Sequence, residues 1–236
     1  MDKEDIFFKL KHGIWIISAG SLTLTTSLLF YAYFINGAYN GREPSQYAGD
    51  ISALSALVNC HIVTFAMYWN LGEYHSIPKK ILGFSVPHWK VWAKWLAIFA
   101  PIMLAANLIN MYTLNAFSGV PFKDHIVISF INMTSPFYLK VLTFFLVAGT
   151  APLCEETIFR GFMFPYLERK ISYQWAALIS SALFSIAHMN IRSLFPLFVF
   201  GYILALIYKE TRSLWLVIFL HSINNAAAMY LALMYR

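Results

Sequence analysis

Charged residues divide the chain into long uncharged windows. Residues 13–41, 51–72, 95–122, 141–154, 171–191, 193–208 and 213–235 contain no Lys, Arg, Asp or Glu. The fourth window is interrupted by Glu155, Glu156 and Arg160 and then runs apolar to Leu167. A helix crossing the ~30 Å hydrocarbon layer needs ~20 residues. Reading the fourth window as one helix over about 137–168 predicts seven spans, the short sixth being completed by Arg192 and Lys209 snorkelling at its ends. The runs are apolar on all sides, without the alternation in ~10-residue segments that a membrane barrel requires. The expected fold is all-α, a polytopic transmembrane helical bundle forming one integral membrane domain over 1–236. Residues 37–50 and 72–88, with their Gly, Pro and Asn punctuation, are expected to be loops.

Basic residues set the expected orientation. With the N-terminus in the cytoplasm, the inside segments hold eleven Lys and Arg and the outside segments four, as the positive-inside rule demands. An eighth span over 126–137 would reverse the second half and destroy that bias. Segment 120–136 is therefore expected to be a loop or half-buried helix. The first apolar run is too long for a signal-peptide core and is followed by more spans, so it is expected to be retained.

Composition agrees. Hydrophobic residues make up 59% of the 236 and charged residues 12%, against ~45–50% and ~25% in soluble domains. So few charges cannot cover a water-soluble globule, which excludes a soluble enzyme or a disordered chain. The net charge of +6 falls mostly at the ends of apolar runs, so topology explains it and no nucleic-acid partner is expected. Cys60 and Cys154 lie inside apolar runs and form no CxxC motif.

Ionisable groups inside membrane helices cost ~2.5–3.5 kcal/mol each on insertion scales, so each needs a reason. Three clusters stand out. In the first, Glu155 and Glu156 lie mid-window and Arg160 follows Glu156 by four residues, so those two share a helix face and can pair. Glu155 is turned about 100° away and is the better candidate base; Glu156 and Arg160 are then a supporting pair. Pro152 is expected to kink the helix, and Gly161 to permit close helix approach. In the second, Phe184 and His188 are i and i+4; in the third, His221 and Asn225 are likewise. At ~1.5 Å per residue, all three clusters fall within about two helical turns of one another in depth, so a shared pocket is feasible.

A carboxylate base, two imidazoles and a carboxamide form a hydrolytic set. Glu155 can take a proton from water and His188 orient that water. His221 and Asn225 can donate to the oxyanion of a tetrahedral intermediate. Other intramembrane hydrolases lack their parts here: there is no HExxH, no intramembrane aspartate pair and no GxSxG nucleophile turn. Cys154, among apolar and acidic neighbours, makes a poor thiolate. Zinc held by Glu155, His188 and His221 is the chemical rival. A transporter would show paired repeats and broken helices in both halves, whereas here the ionisable clusters are confined to one.

The segments EETIFR (155–160), FSIAH (184–188) and HSINN (221–225) resemble, in order, the motifs EExxxR, FxxxH and HxxxN of the CPBP family, also called Abi, which comprises type II CAAX prenyl endopeptidases and bacteriocin-processing or immunity proteins. The resemblance covers about 140–232, the expected catalytic core. It implies an intramembrane endopeptidase of the glutamate type. Glu155, His188, His221 and Asn225 would be the catalytic residues and Glu156, Arg160 and Phe184 the supporting ones. The family is often labelled metalloprotease, but the archetype is metal-independent, so no metal or other cofactor is expected and zinc is not favoured. The continuation FRGFMFPYLERK is similar to the bacterial branch, implying a multi-pass protein of a bacterial cell membrane. Its expected partners are a membrane-embedded peptide or protein substrate, such as a bacteriocin or pheromone precursor, and the lipid bilayer. A prenylated CAAX tail is not the expected substrate. The alternative is a non-proteolytic immunity or regulatory membrane-binding protein that uses the cluster only for structure.

Overall fold

The computed structural model describes residues 83–118, 141, 144–188 and 190–234. The first two predicted spans, segment 120–136, loop 37–50 and the N-terminal orientation lie outside the described residues. Every regular element among the described residues is helical. They are α1 (Trp89–Ser118), a π turn (Leu146–Thr150), α2 (Ala151–Glu156), a π segment (Thr157–Met163), α3 (Phe164–Glu168), α4 (Tyr173–Ala187), a 3-10 turn (Ile191–Ser193), α5 (Leu194–Thr211) and α6 (Leu214–Met234). Three helices among the described residues are long and apolar enough to cross a membrane: Trp89–Leu114, Ile191–Thr211 and Leu214–Leu231. In lipid a helix satisfies its own backbone polar groups, which is why uniformly apolar runs take this form.

The chain divides into two units. One comprises Met1–Pro78, Asp124–Cys154 and Asn224–Arg236; the other comprises Lys79–Lys123 and Glu155–Ile223. In the first, Pro152 lies at the second position of α2, directly after the π turn Leu146–Thr150. Proline has no N–H to give to the carbonyl four residues back. A widened turn, rather than the simple kink expected from sequence, is what stands there; such bulges commonly accompany functional sites.

In the second unit, α1 and α5 run antiparallel. Lys94 near the start of α1 pairs with Glu210 near the end of α5 (2.8 Å), and Asn110 donates to the Arg192 carbonyl at the opposite end (3.0 Å). Lys90 and Lys94 lie on the first turns of α1. Glu168, closing α3, is bridged by Lys209 and by Arg212. The charges of α1, α3 and α5 thus gather at one end of this unit.

The predicted span 171–191 is cut short. α4 has 15 residues, about 22 Å at 1.5 Å per residue, less than the hydrocarbon thickness. It stops at His188, and Asn190 then adopts an extended backbone with its side chain accepting from the Arg192 N–H. That side-chain turn competes with the next helical hydrogen bond, so α4 turns directly into α5.

The α5–α6 junction is equally tight. Arg212 adopts the left-handed conformation (φ 49°) and its N–H bonds to the Tyr208 carbonyl. Ser213 Oγ caps α6 by accepting from the Leu216 N–H and donates to the Ser85 carbonyl. Gly83 at φ 85° accepts from the Leu214 N–H, and a Cβ there would meet Tyr208 Oη at 2.7 Å. Residues 83–86 therefore tie down the start of the helix that carries His221.

Close helix approach occurs at Gly201 rather than at the expected Gly161. A Cβ on Gly201 would lie 3.2 Å from Ser181 Cα and 3.4 Å from Arg160 Nη2, whereas one on Gly161 would meet only the flexible Leu214 Cδ1 at 3.4 Å. Gly201→Ala is accordingly expected to cost about 1–3 kcal/mol and Gly161→Ala almost nothing, read as thermal unfolding midpoints in detergent. Equal midpoints for the two variants would contradict this packing.

Candidate active site

The pattern of two adjacent acids has a simple consequence on a helix: they must face different neighbours. Glu156 points inward and is fully buried with Arg160. Arg160 Nη1 donates to Glu156 Oε1 (2.9 Å) and Nη2 donates to the Gly201 carbonyl on α5 (3.0 Å). The guanidinium also lies 4.7 Å from the centre of the Phe184 ring, within the range of a cation–π contact. Its charge is thus answered from three directions.

Glu156 Oε1 also receives His221 Nδ1 (2.7 Å). The other imidazole is fixed from its own helix, with His188 Nδ1 donating to the Phe184 carbonyl (2.8 Å). An ionised carboxylate paired with arginine and a carbonyl can only accept. Each ring therefore carries its proton on Nδ1, and in the neutral form each presents the Nε2 lone pair. Both lone pairs converge on Glu155. Its Oε2 lies 3.7 Å from His188 Nε2 and 3.8 Å from His221 Nε2, and this buried oxygen has no hydrogen-bond partner. Those separations are too long for direct hydrogen bonds.

The three groups differ in access. The side chains of Glu155 and His188 are 21% and 27% exposed, that of His221 only 3%. Glu155 and His188 are partly exposed, with Glu155 Oε2 itself buried, while His221 is held inside. Three aromatic rings close the inner side: Phe184 stacks against His188 (4.6 Å between centres) and Phe200 stands edge-on to His221 (4.7 Å, 76°), with Phe184 and Phe200 in mutual contact. Phe159 packs on Phe184 in turn.

Two neutral Nε2 atoms and a carboxylate oxygen are also the donor types of a zinc site. Among the described residues no group of three His, Cys, Asp or Glu side chains is arranged to hold a metal ion.

Comparison with known proteins covers the same segment. Residues 137–227 match the family of type II CAAX prenyl endopeptidase Rce1-like proteins. This segment is therefore similar to the CPBP family. Over 82 residues, 35% of its length, the chain is 34% identical to the Bacillus subtilis (strain 168) protein named "Putative membrane peptidase YdiL". The alignment spans about a third of that protein's own length (34%). No solved structure matches the chain.

Within the matched segment, the structure brings Glu155, Glu156, Arg160, Phe184, His188 and His221 together in one unit. Asn225 follows His221 by one turn on α6 but belongs to the other unit, where its Nδ2 donates to the Val147 carbonyl (3.0 Å). Sequence reading missed Phe200 and the Gly201 carbonyl. A phenylalanine in an apolar span carries no signal, and a backbone carbonyl none at all; the one available hint was a glycine inside a spanning helix.

Breaking a buried pair leaves a lone charge. Arg160→Gln is expected to lower stability by about 3–5 kcal/mol. Adding Glu156→Gln should recover part of the loss, because the fully buried carboxylate is then no longer left without its cation. Unfolding midpoints of the purified variants test this, and a double variant less stable than the single one would refute it.

Proposed function

We propose that this chain is an intramembrane endopeptidase that hydrolyses a peptide bond in a membrane-associated protein or peptide precursor. One observation carries the reading: a buried, unpartnered carboxylate oxygen of Glu155 stands 3.7 and 3.8 Å from two imidazole Nε2 atoms. A water oxygen about 2.8 Å from both members of a pair can bridge either separation. The family match of the segment and the printed name of the relative support the same class of activity.

In this mechanism a water donates to Glu155 Oε2 and to His188 Nε2. Glu155 takes a proton as the water oxygen attacks the carbonyl carbon of the scissile bond. The tetrahedral oxyanion then needs donors. Neutral His221 offers a lone pair at Nε2, so its donor role requires a second proton. Asn225 is proposed as a further donor on the strength of its motif. Glu155 finally returns its proton to the leaving amine. We assign no metal to these steps.

Purified protein in detergent, offered a library of membrane-associated peptides, is expected to cleave a subset of them. Glu155→Gln keeps the shape of the side chain and loses the base, so cleavage should fall ~10²–10⁴-fold with the unfolding midpoint unchanged. Wild-type rates in that variant would refute the mechanism. Cleavage is expected to survive a chelator; loss with chelator and recovery with zinc would overturn the metal-free assignment.

A further inference from the structure

An imidazole linked through Cγ rotates in a broad, roughly two-fold torsional well. The bond from His221 Nδ1 to Glu156 fixes one atom of the ring but not its tilt. A second restraint is needed if Nε2 is to face Glu155, and α5 provides it. The Phe200 ring centre lies 4.7 Å from that of His221 at an interplanar angle of 76°, and Phe184 approaches the same imidazole at 6.0 Å and 72°. Phe200 is itself immobilised. It is 2% exposed, leans on Phe184 (5.7 Å) and is backed by Phe99 of α1 (5.8 Å). Its chain neighbour Gly201 anchors Arg160 through its carbonyl, and Arg160 holds Glu156, which holds His221 Nδ1. Two successive residues of α5 thus grip one imidazole, Gly201 through a relay of charge-assisted bonds and Phe200 through ring contact.

We propose that Phe200 is a positioning residue that sets the tilt of His221, so that its Nε2 faces Glu155. This rests on the reading of the site given above. A core-filling role makes a different demand, because leucine or methionine replaces much of the volume of phenylalanine without presenting a flat wall.

The test uses the full chain in detergent with ¹⁵N-labelled histidine at pH 8.5, the His221 and His188 signals being assigned through His221→Gln and His188→Gln. Wild-type His221 should carry its proton on Nδ1; an unprotonated Nδ1 overturns the proposal before any positioning variant is made. In Phe200→Leu, a second form with unprotonated Nδ1 should appear for His221 while the His188 signal stays put. Phe200→Met serves if the leucine variant does not fold. On a cleaved peptide, kcat should drop about 10- to 100-fold, as misplacement of a reacting group does, with KM unchanged. A variant that loses stability but keeps the wild-type His221 signal and kcat would show that Phe200 only fills space, and would overturn the proposal. If wild-type protein cleaves no peptide, the proteolytic reading fails, whereas the histidine signal still decides whether Phe200 sets the ring.

Discussion

A fully buried ion pair, Glu156 with Arg160, is the constraint from which the rest of this site follows. Two charges removed from water need further partners beyond each other. Here Arg160 Nη2 reaches the Gly201 carbonyl and the shared Glu156 Oε1 reaches His221, while Arg160 Nε and Glu156 Oε2 are buried without a hydrogen-bond partner. The pair therefore draws α5 and α6 onto the helical segment that bears the acids. It also dictates the tautomer of His221, since only a protonated Nδ1 can bond to Glu156 Oε1.

Neighbouring acids with different surroundings acquire different duties. Glu156 is enclosed and answered by a permanent cation; Glu155, one residue earlier, is partly accessible and meets only Nε2 atoms. In the proposed chemistry the first is scaffold and the second is base. The arginine that pairs with Glu156 makes no direct bond to Glu155 Oε2.

The fold serves this division through its interruptions. α4 ends at His188, so its imidazole sits at a helix terminus beside the partly exposed Glu155. The left-handed Arg212, the Ser213 cap and the Gly83 contact close the α5–α6 turn tightly, which fixes the start of the helix that carries His221. Gly201 lets α5 approach Ser181 closely enough for its carbonyl to meet Arg160.

Much of this is legible in the sequence because membrane insertion makes polar residues expensive. The apolar windows predict helices, and Glu155, Glu156, Arg160, His188 and His221 stand out against them. Spacing alone pairs Glu156 with Arg160, since residues four apart share a helix face. Periodicity could not foretell that α4 stops at His188, because the stop depends on how Asn190 bonds to the following turn. Nor could it foretell that Gly201, not Gly161, is the point of close approach, because that depends on which helix lies opposite. The proton position on His188 is set within its own helix, whereas that on His221 was decided only when separate helices packed together. Local spacing fixes what one helix presents on each face; which faces meet is settled by the tertiary fit of side chains distant in the chain.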